Sequence, residues 1–136
     1  MRVAELRVGN WIQDLGDDEM QNYQIEQICK DSDGFKGYYI VFRNGSFKCK
    51  IDSDGFQPIP LTEEWLLKFG FKLNKLGNLC KYIETKENGS RFITFKYSNY
   101  YKNWYIYLEH NPPCQYVHQL QNIIFVLTGE ELEVKL

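Results

Sequence analysis

The sequence predicts an α+β fold: a single antiparallel, β-rich domain with two short helices packed on the sheet. Three observations carry this. Two apolar segments, 58–71 and 116–132, show helical spacing, each with a start and a stop written into its residues. The remainder runs in short alternating stretches broken by Asn-Gly and Asp-Gly pairs, the pattern of antiparallel strands joined by tight turns. At 136 residues the chain fits one domain (1–136) and can bury about two thirds of the surface it exposes when unfolded. Within it, 1–57 reads as a β-rich N-terminal part, with a small SH3-like barrel as its candidate form. Residues 58–136 read as a helix, a three-stranded meander and a second helix.

Residues 6–12 alternate apolar and polar side chains and predict a first strand, with Gly9 at a bulge or a close backbone approach. A second strand is expected over 23–29, after the acidic turn at 16–19. Asn44-Gly45 suits a two-residue type I′ turn, because both central positions need positive φ. That turn sets Ile40 opposite Cys49, Tyr39 opposite Lys50 and Val41 opposite Lys48, with Phe42 and Ile40 on the buried face.

Pro58 and Pro60 then extend the chain into the first helix. Thr62 is its N-cap, Glu63 and Glu64 meet the positive end of the helix dipole, and Gly70 suits the left-handed residue past the C-cap. Leu61, Trp65, Leu66 and Phe69 form the apolar stripe. A second hairpin is expected at Asn88-Gly89. A two-residue turn there pairs Tyr82 with Phe95 but sets Lys81 against Lys96, a like-charge contact that weakens this register and leaves a three-residue loop as the alternative. A strand at 104–108 follows, with Trp104 and Ile106 on one face and Tyr105 on the other. After Asn111-Pro112-Pro113 the last helix carries Val117, Leu120, Ile124 and Leu127 at helical spacing, with His118, Gln119 and Asn122 expected on a polar side and Gly129 ending it.

Sixteen basic and eighteen acidic residues leave a net charge of −2, which removes any global drive towards nucleic acid or anionic membranes. Neither an apolar signal core nor a stretch of membrane-spanning length is present, so the chain is expected in the cytoplasm and away from membranes. Cys29, Cys49, Cys80 and Cys114 form no Cys-x-x-Cys pair and are read as small hydrophobes of a reducing compartment.

Three blocks, Leu6-Arg7-Val8-Gly9-Asn10-Trp11-Ile12, the segment 58–71 and the segment 116–132, resemble a family of small proteins from Bacteroidetes genomes, their prophages and other mobile elements. The resemblance carries over no activity and no site residues. It implies a bacterial or phage cytosolic setting.

Catalytic signatures are not expected. His110 and His118 are the only histidines and have no metal-ligand spacing around them; Glu63 and Glu64, adjacent on a helix, diverge by about 100°, and Glu130-Glu131 lies just past a helix end, where solvation accounts for it. No catalytic residue, metal or cofactor is assigned. The most suggestive stretch is 96–105, where Tyr100, Tyr101 and Trp104 interleave with Lys96 and Lys102. As a working surface it offers rings for protein contact. In a second reading it stacks the bases of single-stranded nucleic acid, with lysines meeting phosphates. As plain structure it is two strands joined by a Tyr-rich turn. The sequence thus predicts a non-enzymatic accessory or adaptor protein acting through an unidentified protein partner, with single-stranded nucleic acid as the alternative.

Overall fold

The computed structural model describes residues 6–14, 21–30, 38–42, 48–50, 56–85, 89–98, 100, 103–106 and 114–134. Along the chain run β1 (Trp11–Asp14), β2 (Gln21–Lys30), β3 (Tyr38–Phe42), β4 (Lys48–Lys50), β5 (Phe56–Pro58), α1 (Glu63–Lys68), β6 (Lys72–Leu73), β7 (Leu79–Thr85), β8 (Gly89–Ser98), β9 (Asn103–Ile106) and α2 (Val117–Thr128). Two antiparallel sheets and two helices make the α+β fold that the hydrophobic patterning predicts. The chain divides into two compact units, Met1–Ile59 and Pro60–Leu136.

The first unit is a five-stranded sheet ordered β4-β3-β2-β1-β5, in which the last strand returns beside the first. Among the described residues no ladder joins β4 to β5, so the SH3-like closure is not part of this sheet's pairing. Its core is Leu6, Ile12, Ile25, Ile40 and Phe42, with Tyr23 and Ile28 packed against it. Tyr23 and Phe42 meet ring to ring at 5.1 Å.

The β3–β4 ladder has the register that Asn44-Gly45 predicts: Tyr39 opposite Lys50, Ile40 opposite Cys49, Val41 opposite Lys48. The turn itself lies outside the described residues. The opening block differs from expectation. Residues 6–12 are not one strand; the chain turns at Arg7–Asn10 and β1 starts at Trp11. Asn10 N–H donates to Arg7 O at 3.0 Å while Asn10 Oδ1 accepts from Arg7 N–H at 2.7 Å. Gly9 occupies the third position of this turn at φ +94°, which residues with a Cβ rarely adopt.

The second unit holds a four-stranded sheet, β6-β7-β8-β9, and both helices. Three residues, 86–88, separate paired Thr85 and Gly89, so the register is the one a three-residue loop gives. Lys81 faces Ile93 and Tyr82 faces Phe92, in place of the two-residue alternative. The physical reason is the pleat. Residues directly opposite share a face, and this register puts Leu79, Ile83, Ile93 and Phe95, all buried, on one side. The alternative would split them.

α1 has the stop and start its residues predict. Thr62 Oγ1 accepts from Trp65 N–H at 3.3 Å, Gly70 has φ +89°, and Gly70 N–H and Phe71 N–H donate to Leu67 O and Leu66 O, both at 3.0 Å. This paired closure satisfies carbonyls that a bare helix end would orphan. Leu61, Trp65, Leu66 and Phe69 are buried as expected, and Phe71 meets Phe95 edge to face at 5.3 Å. In α2, Gln119 Oε1 reaches back to accept from Tyr116 N–H at 3.2 Å and Gln115 N–H at 3.0 Å. The segments ahead of the two helices are tied together, Leu61 N–H donating to Gln115 O at 2.8 Å beside a Pro60–Tyr116 bridge.

Candidate functional site

Alternation along the strands of the second sheet sorts every side chain to one of two faces. Leu79, Ile83, Ile93, Phe95 and Ile106 form the apolar face on which α2 packs along β7. The opposite face carries Lys72, Cys80, Tyr82, Thr94, Lys96 and Tyr105. Cross-strand rows run Lys72–Cys80–Thr94 and Lys96–Tyr105, and Cys80 Sγ lies 3.4 Å from Thr94 Oγ1. Among the described side chains of this face the charges are the two lysines, Lys72 and Lys96, both exposed, and Tyr82 is 56% exposed.

The residues singled out at 96–105 therefore divide. Trp104 stands opposite Tyr97, on the apolar face, where the two rings meet edge to face at 5.3 Å. Lys96 points to the other side, opposite Tyr105. Tyr100, in the turn, is 85% exposed. Tyr101 and Lys102 lie outside the described residues. Cys114 N–H donates to Trp104 O at 3.2 Å, so the chain leading into α2 caps the outer edge of β9 beside this margin.

His118 corrects an expectation: it is 1% exposed, not on a solvated side of α2, and its ring stacks on Tyr116 at 5.9 Å. Gln121 is buried as well. The residue pattern misled because α2 buries Val117, His118, Leu120, Gln121 and Ile124, a stripe wider than its apolar residues alone define. His110 lies outside the described residues. Cys29, Cys80 and Cys114 are free thiols, with Cys114 fully buried. Among the described residues no three His, Cys, Asp or Glu side chains gather as metal ligands, and no helix is long and apolar enough to cross a membrane.

Two features went unread in the sequence. A groove of about 630 Å³ runs between β7 and the residues after α2, with Ile83, Ile124 and Leu132 among its apolar lining and Glu130, Glu131 and Glu133 at its side. Lys81 also borders it and donates through Nζ to Phe69 O, a terminal carbonyl of α1, at 2.6 Å. The second feature is the β6–β7 loop, whose tip holds Leu76 83% exposed. Its signal was present: a leucine in Asn74-Lys75-Leu76-Gly77-Asn78 sits inside turn residues, where no strand or helix period can bury it.

Searches of protein-family models, curated proteins and solved structures return no match to this chain.

Proposed function

We propose that this chain is a non-enzymatic accessory protein that works through protein contacts in a bacterial or phage cytoplasm. The observation that carries the reading is the aromatic margin of the second sheet, where Tyr97 and Trp104 pair at the ends of β8 and β9 and Tyr100 presents most of its ring to solvent. Tyrosine and tryptophan bring large area with few rotatable bonds, which is why they dominate binding hot spots. The bacterial or phage setting is the one that the resemblance of the three sequence blocks implies. Affinity capture from a native host, with and without prophage induction, is expected to recover a stable partner that the double variant Tyr97→Ala, Tyr100→Ala loses while keeping its thermal unfolding. Recovery of no partner in either condition, or full retention by the double variant, overturns the reading.

A second reading, single-stranded nucleic acid, has one observation in its favour. Lys72 and Lys96 share a sheet face with Tyr82 and Tyr105, so cations and stacking rings meet on one plane. On this reading anisotropy titrations with a single-stranded oligonucleotide show salt-sensitive binding, and Lys96→Ala lowers the slope of log K against log salt by about 0.7, the loss of one phosphate contact. A flat titration at low salt disposes of it.

A further inference from the structure

The β6–β7 loop is held stiffly around one side chain. Asn74 Oδ1 accepts from Leu76 N–H at 2.9 Å and from Asn78 N–H at 3.0 Å, Asn74 N–H donates to Asn78 O at 2.9 Å, and Gly77 N–H donates to Asn74 O at 3.2 Å. What this loop presents is apolar and basic: Leu73 and Leu76 are exposed, with Lys72 and Lys75, also exposed, beside them. Leu73 and Leu76 leave apolar area in water that a complementary surface would cover.

The groove along β7 offers the complement. Its volume of about 630 Å³ falls in the range of roughly 300–1,000 Å³ over which clefts hold sizeable ligands. Ile83, Ile124 and Leu132 give an apolar lining, and the exposed Glu130, Glu131 and Glu133 outnumber the one lining lysine, Lys81, whose Nζ is already bonded to Phe69 O. Tip and groove are offset along one strand: Asn78 closes the loop and the groove begins at Lys81, immediately past the two residues that β6 pairs with. The tip is thus complementary in charge and polarity to a surface on its own sheet.

We propose that the groove receives the β6–β7 tip of a second copy of this chain. Leu76 enters the apolar lining, and Lys72 and Lys75 meet the groove's glutamates. Because each copy carries both halves near one margin, a two-fold arrangement repeats the contact and closes the pair, leaving neither half open to further copies. This contact is independent of the aromatic margin at Tyr97 and Tyr100.

Sedimentation of the full chain over rising concentration, at low ionic strength, tests it. The expected result is a reversible shift from 16.2 kDa towards twice that mass, weakened by added salt. Leu76→Asp, the pair Lys72→Glu with Lys75→Glu, and the pair Glu130→Lys with Glu133→Lys are each expected to weaken self-association at least about tenfold. All these positions are exposed, so folding is kept and far-UV circular dichroism checks it. A chain carrying both charge swaps regains the dimer, and so does an equimolar mixture of the two swapped chains, whereas Tyr97→Ala with Tyr100→Ala leaves it intact. A chain that stays monomeric at millimolar concentration overturns the proposal, as do a dimer indifferent to Leu76→Asp and swaps that fail to rescue each other.

Discussion

Cys114 is sealed from solvent just ahead of α2, and burial pushes its thiol up from an ordinary 9.0 to about 12. The unfolded chain releases this proton near pH 9 while the folded chain keeps it, so the unfolded state binds fewer protons between the two values. Stability contributed by the neutral buried thiol is complete below about pH 9 and falls above it, approaching 1.4 kcal/mol per pH unit at the steepest. Urea unfolding at pH 8 and pH 10 is expected to show this loss, and Cys114→Ala to make it shallower. The same burial predicts that a thiol reagent labels half-buried Cys29 and Cys80 in the native protein and reaches Cys114 only on unfolding. Equal labelling rates would contradict the assignment. Lys81 shows the converse at the same scale, a charged residue on an apolar face, kept there because its ammonium satisfies Phe69 O at the end of α1. Nothing in the local pattern of β7 announces that partner, which lies twelve residues away and is set only when α1 docks.

Among the elements, α1 was legible nearly residue by residue because its signals are local. Thr62, the two glutamates and Gly70 act within one turn of where they stand in sequence. Gly70→Ala forces a Cβ into φ +89° and is expected to cost about 1–2 kcal/mol in thermal or denaturant unfolding, with Gly70→Asn costing less. An unchanged midpoint for Gly70→Ala would mean that the closure contributes nothing. The β3–β4 ladder was legible too, since its register is the one that Asn44-Gly45 implies by local turn preference. At β7–β8 the Asn-Gly pair gave two registers, and the choice between them belongs to the face that the helices cover. The opening block misled because a turn containing Val8 alternates apolar and polar residues just as a strand does; the Asn10 side chain bonded to Arg7 N–H, the Asn10 N–H to Arg7 O bond and the positive φ of Gly9 distinguish them.

For the whole molecule, two compact units each carry an apolar set of their own. Leu6, Ile12, Ile25, Ile40 and Phe42 serve the first, while Leu66, Phe69, Phe95, Ile106 and Leu120 are among the buried residues of the second. Residues 60–136 expressed alone are therefore expected to fold cooperatively, with a single thermal transition and dispersed amide resonances. A fragment without a cooperative transition would show that the division in contacts is not a division in stability. The candidate surface depends on this scale too. Residues 96–105 looked like one interleaved platform, yet the pleat sends Lys96 and Trp104 to opposite faces, and the lysine and tyrosines that share a plane with Lys96 come from β6, β7 and β9.

The sequence by itself determined the α+β class, the caps of α1, the stop of α2 at Gly129 and the register of β3 with β4, because each follows from side chains acting on backbone within a few residues. Tertiary structure decided the rest: which side of α2 is buried, so that His118 is inside; which register of β7 and β8 survives; and which exposed residues share a face. Those outcomes depend on surfaces brought together from distant parts of the chain, and burial against a neighbour outweighs the pattern of any one segment.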